Sequence, residues 1–564
     1  MVFIDRFNHL HGANTQTSPF LLSEKSLTVL NGANVSRELG SILKDTGYVQ
    51  VEAIIEASNS ILGMFDFVQI PGTQKMLATV NNSADTATQL FYFTNVSTTV
   101  DVSSASGQLV ISVTSTADFL VGDSITLAKG TANAETRVID TISAGVSITV
   151  TVNLTNTHAV GVAVEQTWTE ITAAESTFTI ANTDVEMESF IAHCFLVGHN
   201  GTSFLPIGSL TGTTFSTSTN VTNMPQGRYI KRYRDRLYVA NARSGGTDFP
   251  FRVYFSSVPS AGAITWTPAS DFIDVDYSDE ITGLGVNWDK LIIFTKKRAY
   301  FYDQQQMKQL WARGCSNHRT IVNSGIFMIW TDTDGVWLSQ NGGQPQEISG
   351  FIRDFIKAGT PNNFFAEVVD EEYNLYVGAV TVNGVTYSNT MLTFNIPTQT
   401  WRWRELAQDM TMFATFDDSG STRLYMGNTT GRVYDKAKYT DTTVYSSDAA
   451  INTATDGTAI HSEFELAPFF IEPDKYKGLD SLIAYSERAA GLRMQYRVLD
   501  RNARIMTEYK TIGTLTSFSN EFKISGKAKP GTMLQIKGTE FSTLPYWSFF
   551  GARYNVIPLG KKHD

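Results

Sequence analysis

Cysteine is almost missing from this sequence: Cys194 and Cys315 are the two present in 564 residues. Each lies in or beside a stretch that reads as a strand, so neither a disulfide framework nor a thiolate metal cluster is available. That pattern fits assembly in a reducing cytoplasm. Charge is also sparse, at 18% of residues, which leaves a surface of Ser, Thr and Asn or one covered by a partner. No run of 18 apolar residues occurs. The N-terminus, MVFIDRFNHLHG, lacks the basic then apolar order of a signal peptide, so the expectation is a chain that neither spans a membrane nor is exported by such a leader. Basic residues are outnumbered 44 to 55, for a net charge of −11. A dedicated nucleic-acid binder needs a phosphate-neutralising face, which this balance argues against. A conduit that nucleic acid passes without adhering stays open. No segment holds a 3.6-residue apolar period across three turns, which excludes a helical array.

What the sequence does have is one figure repeated. In DKLIIFTKKRAYFYD, Asp289 to Asp303, two β-rich runs flank a short charged connection, as in a hairpin. The figure returns in RLYVANA, GIFMIWTDTDGVWLSQ, NLYVGAV and RLYMGNTTGRVYDK. Aligned on Leu237, Leu291, Ile326, Leu375 and Leu424, the separations are 54, 35, 49 and 49 residues. Phe195 lies 42 residues upstream of Leu237, and Leu77 a further 118 upstream, a gap that contains a compositionally different stretch of about 70 residues. A multi-strand period near 40 to 50 residues suggests the blades of a β-propeller, with stacked β-sandwiches as the alternative. Aromatics at 12% are enough to fill the wedges between radially packed sheets.

The organisation expected is therefore all-β: a β-propeller with an inserted small β-domain and a C-terminal β-sandwich-like domain. An N-terminal strap covers residues 1–60 and lies across a first blade. The propeller platform spans 61–95 and 167–440. The insertion, 96–166, is rich in Thr, Ser and Val and reads as short alternating strands; because it interrupts a blade, it should project from the platform. A polar linker, 441–459, leads to C-terminal strands over 460–564.

The strap carries a resemblance. Gly12, Asn14, Ser18-Pro19, Leu22, Leu30, Gly40 and Gly47-Tyr48 are spaced in a way that resembles the opening of the tail nozzle proteins of short-tailed bacteriophages, the tail tubular protein B family, with relatives among tail hub or stabilization proteins. The stretch TWTPASDFIDVDYSDEITGLGVNWDKLIIFTKKRAYFY extends the likeness into the blades. The resemblance implies a propeller and a structural virion subunit, assembled in the host cytoplasm. It implies a self-assembled ring, a hexamer, that continues a head-to-tail adaptor ring, meets tail fibres or spikes, and lets viral double-stranded DNA pass without sequence-specific binding. The insertion is similar to a small β-module of phage and bacterial surface proteins through Phe119, Val121-Gly122-Asp123, Glu135-Thr136, Leu154, His158-Ala159 and Gly161.

The close histidine pairs, His9/His11 and His193/His199, lack the spacing and the partnering Glu of a zinc site. His158 reads as a hydrogen-bonded structural residue. In TDTDGVW, residues 331–337, no bidentate Glu follows at the distance an EF-hand requires; Asp-Gly between apolar strands is instead the preferred two-residue hairpin turn. Trp401 and Trp403, delivered to one strand face by the turn at Pro397-Thr398, read as blade packing rather than sugar stacking. A glycosidase needs two converging carboxylates, which sequence does not place. The expectation is thus no catalytic residue, no metal, no cofactor and no enzymatic activity. Two basic groups, Lys231, Arg232, Arg234 and Arg236 on one strand and Lys296, Lys297 and Arg298 in a turn, are candidates for contact with DNA or an acidic partner, against the plainer reading of charged blade edges. The functional expectation is a tail nozzle or hub subunit. Its alternatives are a receptor- or glycan-binding propeller of the tail and a propeller glycosidase.

Overall fold

The computed structural model describes the chain except residues 1, 8–26, 32, 36–41, 52–53, 57, 70–73, 277–278, 419, 437–446, 452–457, 471–476, 488–490, 501–503, 516–518, 529–532, 541–546 and 559–564. The fold is all-β and of propeller type. Its contacts divide the chain into two compact units, one of residues 50–318 and 410–435, the other of residues 1–49, 319–409 and 436–564.

The first unit holds a succession of antiparallel sheets. Sheet I is Ile61–Val68, Gln74–Asn81, Thr88–Phe93 and Thr169–Glu170. Sheet II is Asp184–Phe190, His193–His199, Gly208–Thr211 and Thr214–Ser216. Sheet III is Gln226–Tyr233, Arg236–Ser244, Thr247–Phe255 and Phe272–Asp274. Sheet IV is Ile281–Asn287, Lys290–Thr295, Ala299–Tyr302 and Met307–Trp311. A further sheet, VII, begins with Met410–Asp418, Ser421–Asn428 and Val433–Lys436. The strap borders its third strand: the Val51 N–H donates to Val433 O at 3.0 Å and the Ile55 N–H to Gly431 O at 2.9 Å.

The first strand of each sheet packs on the first strand of the next, in the order VII, I, II, III, IV. Four cores fill the spaces between them. Met76 and Phe91 meet Met412 and Tyr425; Leu77 and Leu90 meet Val185 and Leu196; Phe195 and Val197 meet Leu237 and Tyr254; Tyr238 and Val253 meet Leu291 and Ile293. Sheets I, II and III are thus covered on both faces, which explains why MLATV in sheet I is a continuous apolar run rather than an alternating one. At about 1.5–3 kcal/mol for each large side chain removed from water, this stacking is the main stabilising term.

Between the third and fourth strands of sheet I, residues 97–166 form a closed six-stranded barrel around Val100, Ile111, Ile125, Ile139 and Ile148. Its base is pinned by polar contacts. Asp123 accepts from Tyr92 Oη at 2.5 Å and from the Leu120 N–H at 2.7 Å, and the Ser124 N–H donates to Thr169 Oγ1 at 2.9 Å. Asp123 thereby anchors the barrel to sheet I. His158 is bonded to the buried Glu135 carboxylate, Nε2 to Oε1, at 2.6 Å.

The second unit holds sheet V, Val322–Ser324, Phe327–Thr331, Val336–Gln340 and Gln346–Glu347, and sheet VI, Phe365–Val369, Glu372–Val382, Val385–Asn395 and Thr400–Glu405. Beyond Thr400–Glu405 the strap strand Leu27–Asn31 pairs in parallel, Asn31 opposite Trp403, and then antiparallel to Ser462–Leu466. Met533–Glu540, Arg493–Leu499 and Lys510–Thr514 extend the same sheet. The strap strand therefore lies beside the sixth sheet in chain order, where the sequence suggested a first blade. A second sheet, built on Lys477–Glu487 and Ser548–Pro558, shares a core with it through Phe464, Ile536, Trp547 and Phe549, giving the C-terminal strands a sandwich-like arrangement.

Trp401 and Trp403 are buried in this core, Trp401 Nε1 donating to Ile348 O at 2.6 Å. The TDTDGVW turn differs from expectation. Thr331 pairs with Val336 and the Asp332 N–H donates to Gly335 O at 3.0 Å, so the two-residue tip is Thr333-Asp334 rather than Asp334-Gly335. The Asp332 carboxylate holds it by accepting from the N–H groups of Asp334 at 2.7 Å and Gly335 at 3.0 Å, an Asx-type turn.

Candidate functional site

In sheets II, III and IV the first strand starts where the second ends, as the pairs Asp184 with His199, Gln226 with Arg243 and Ile281 with Thr295 show. Polar side chains from the three sheets meet at this end. Arg228 Nη1 lies 3.5 Å from Glu280 Oε1, and Lys296 Nζ lies 2.8 Å from Glu280 Oε2. Asn241 Nδ2 donates to Glu280 Oε1 and to Ile281 O, both at 3.0 Å. Asn241 sits in the middle of an apolar strand, and it reaches sheet IV because the ladder to Thr247–Phe255 slips there and its φ is +49°. Asn tolerates that left-handed conformation, and bulges commonly re-aim a side chain in this way.

Burial works against ionisation of Glu280, but the hydrogen bonds from Lys296 and Asn241 and the nearby cations outweigh it and hold its pKa below the ordinary value. His199 is pushed down to about 4, by burial first and then by the Arg228 cation. Its Nδ1 accepts from the Gly201 N–H at 2.8 Å, so the neutral ring carries its proton on Nε2. That Nε2–H faces Arg228 Nη2 at 3.5 Å, a donor against a donor. Arg228 Nε is buried and makes no hydrogen bond. An oxygen-bearing ligand between them would satisfy donors that the chain itself leaves unused.

Beside this cluster runs an open groove of about 300 Å³ lined by Asn223, Pro225, Gln226, Arg243, Gly245 and Gly246. Arg243 stacks over Phe204, whose ring lies 4.6 Å from that of His199, so groove and cluster adjoin. Along the inner strands, Glu186 Oε1 meets His318 Nε2 at 2.5 Å, and the His318 ring stands 4.7 Å from Tyr229. The connector carrying His318 is seated by Gly314, where a Cβ would come within 2.2 Å of Thr295 O.

The basic residues singled out from sequence are placed as follows. Lys231 pairs with Glu188 at 3.2 Å, and Arg232 lies over the Phe190 ring. Arg234 grips Asp289 through Nε at 3.0 Å and Nη2 at 2.5 Å, and Arg236 Nη1 donates to Ser256 O at 2.8 Å. Arg298 pairs with Asp276 at 2.7 Å. The two groups are not one patch: residues 231–236 lie at the opposite end of sheet III from the turn that holds Lys296, Lys297 and Arg298. Nor are 231–236 one strand, because the chain turns at Arg234-Asp235 and Arg236 opens the second strand. Of the seven, Lys296 alone joins the cluster around Glu280.

Sequence reasoning missed Arg228, Asn241 and Glu280, and weighed His199 merely as a partner of His193. An Asn inside an apolar strand was the one local signal. A second carboxylate of interest, Asp66, has its pKa raised by burial and by Asp417 beside it, against two contacts from Gln74 Nε2 at 2.8 and 2.9 Å. It sits toward the other end of its sheet from Glu280 in sheet IV, so those two do not form a hydrolytic pair. Among the described residues no cluster of ligating side chains could hold a metal ion. No described helix is long and apolar enough to cross a membrane.

No protein-family model and no curated protein matches the sequence. Solved structures with a similar arrangement include the phage phi92 endosialidase, at 12% identity and a TM-score of 0.26 over 68% of this chain and 64% of that one. An exo-β-1,3-galactanase from Phanerochaete chrysosporium matches at 7% identity and 0.23, over 68% of this chain and 97% of that one. A glycoside hydrolase family 43 arabinoxylan arabinofuranohydrolase from Bacillus subtilis matches at 6% identity and 0.23, over 66% and 95%. These neighbours are enzymes by name, and the expectation of a chain without enzymatic activity is withdrawn on that finding.

Proposed function

We propose that this chain is a glycan-recognising propeller of a phage tail, with its site at the end of sheets II to IV. The observation that carries the reading is the pair of unused donors, Arg228 Nε and the Nε2–H of His199, set between Glu280, Asn241 and Lys296 beside an open groove. A sugar presents hydroxyl, and in acidic sugars carboxylate, oxygens at the spacing of such donors, and a carboxylate like Glu280 accepts from its hydroxyls in turn. The phage assignment rests on the leader resemblance.

The test is saturation-transfer NMR of the purified chain against neutral and carboxylated oligosaccharides, with the same samples assayed for released reducing ends. Binding that weakens tenfold or more in Arg228→Ala, with the protein still folded, is expected. Binding unchanged by that substitution, or none at all, overturns the proposal.

A second reading, the tail nozzle or hub subunit, is supported by the described part of the leader. Leu30 and Asn31 lie in a strand built into the extended sheet VI, as a leader integral to its platform would be. Electron micrographs of the purified chain decide it: rings with a bore support the nozzle, and lone particles reject it.

A further inference from the structure

The barrel's far end differs from the rest of the surface. Residues 102–117 and 141–164 contain no Asp, Glu, Lys or Arg. Of these, residues 102–110 and 149–163 gather at one end, opposite the base that joins sheet I. Val110 pairs with Thr149, the Val150 N–H donates to Leu109 O, the Leu154 N–H to Gln108 O and the Gly161 N–H to Val100 O. This brings Val102, Leu109, Val110, Val152 and Val160 to the tip, each between 40% and 65% exposed. Val102, Leu109 and Val110 line a groove of about 320 Å³ together with Ser103, Gln108 and Ser112.

Eight aliphatic side chains of the barrel are exposed and five of them gather at this tip; such a cluster marks an interaction surface. Three features narrow the partner. The barrel is closed, so its strands have no free edge for a partner to extend. The charge-free stretches at the tip have no aromatic side chain to stack on a sugar ring, and the cation beside them, Arg137, is engaged by Glu135, Asn153 O and Thr155 Oγ1, which leaves it little to offer a polyanion. The tip's polar groups are hydroxyls and amides, each able both to donate and to accept, so one copy of the tip is chemically matched to another. With a net charge of −11 on each chain, contact elsewhere brings acidic surfaces together, whereas tip against tip does not. We propose that the barrel tip docks on the same tip of a second copy of this chain, in a two-fold contact that buries the valines and closes the groove.

Sedimentation velocity of the full chain over a range of concentrations tests this. A concentration-dependent doubling of mass is expected. Val110→Glu or Val160→Glu, which place like charges across the two-fold contact, should weaken that step at least tenfold. Val110→Thr, which keeps the tip neutral, should weaken it far less. Both positions are exposed, and an unchanged circular dichroism spectrum confirms that the three variants fold. No doubling at any concentration, doubling that survives Val110→Glu, or a tip that binds another protein while the chain stays single would each overturn the proposal.

Discussion

Replacing Asp45 by Ala should destabilise the second unit severely. Asp45 lies in the strap and is 3% exposed. Its carboxylate faces two buried cations, Arg404 Nη1 at 3.7 Å and Lys436 Nζ at 3.9 Å. Arg404 also donates to Thr46 O and lies over the Tyr48 ring, so it is held in place and cannot swing to water. Next to them Arg402 pairs with Glu372 through contacts of 2.8 and 2.7 Å. With the buried Lys44–Glu540 pair beside Arg404, the described group holds four cations and three acids; without Asp45, four and two. Breaking a buried pair by removing one partner costs about 3–5 kcal/mol, because the remaining charge stays desolvated. At about 2 to 3 °C per kcal/mol for a unit of this size, the midpoint should fall by roughly 6 to 15 °C. Scanning calorimetry and urea unfolding measure both quantities. The double variant Asp45→Leu with Arg404→Met should recover most of the loss, since apolar side chains replace the charge pair. A loss below about 1 kcal/mol, the size of a surface pair, would refute the reasoning, because it would mean that water reaches these cations.

Three other substitutions test the first unit. His199 protonates near 4 when folded and near 6.5 when unfolded; the unfolded chain therefore binds more protons between those values, and stability should fall by roughly 2 kcal/mol as pH drops through that window. His199→Gln should flatten that slope in urea titrations at stepped pH. Gly314→Ala should cost about 1–3 kcal/mol by overpacking, since backbone atoms meet the new methyl; a thermal midpoint within a degree of the parent would contradict it. Asp123→Ala removes the acceptor of Tyr92 Oη and of the Leu120 N–H. The loss should be about 1.5–3 kcal/mol per bond to a charged acceptor, less any part recovered by water, and amide exchange should rise first at the barrel base.

The repeat was legible because each anchor marks the same place in a sheet. Leu77, Phe195, Leu237, Leu291, Leu375 and Leu424 all fall in second strands, and Ile326 directly precedes one. Second strands are covered on both faces, so their apolar runs survive variation in loop length and register. The barrel was legible for a different reason: a small closed module needs its own core, and Val and Ile supplied it where the surrounding sheets used aromatics. The place of the strap strand was not legible. Asn31 pairs in parallel with Trp403, more than 370 residues away in the chain, and nothing local to either segment encodes that choice.

The same contrast explains why the candidate site was hidden while the basic groups attracted attention. Runs such as KRYRDR are conspicuous in sequence, yet five of the seven singled-out cations, Lys231, Arg234, Arg236, Lys296 and Arg298, are held by an acid or a backbone carbonyl of the same unit. A paired guanidinium has little to offer a phosphate, since the contact must first be broken. The side chains with donors to spare are scattered: Arg228 lies near the start of a strand, His199 ends one, and each is ordinary in its own context. They become a site because consecutive sheets present the same edge side by side, and because a slipped register at Asn241 turns one strand residue toward the next sheet. If that reasoning holds, restoring the regular ladder should dismantle the site without unfolding the sheet. Asn241→Val favours extended backbone and removes the amide, so it should weaken ligand binding as much as Arg228→Ala does while leaving the thermal midpoint within a few degrees. Binding that survives Asn241→Val would show that the bulge is incidental to the arrangement of Arg228 and Glu280.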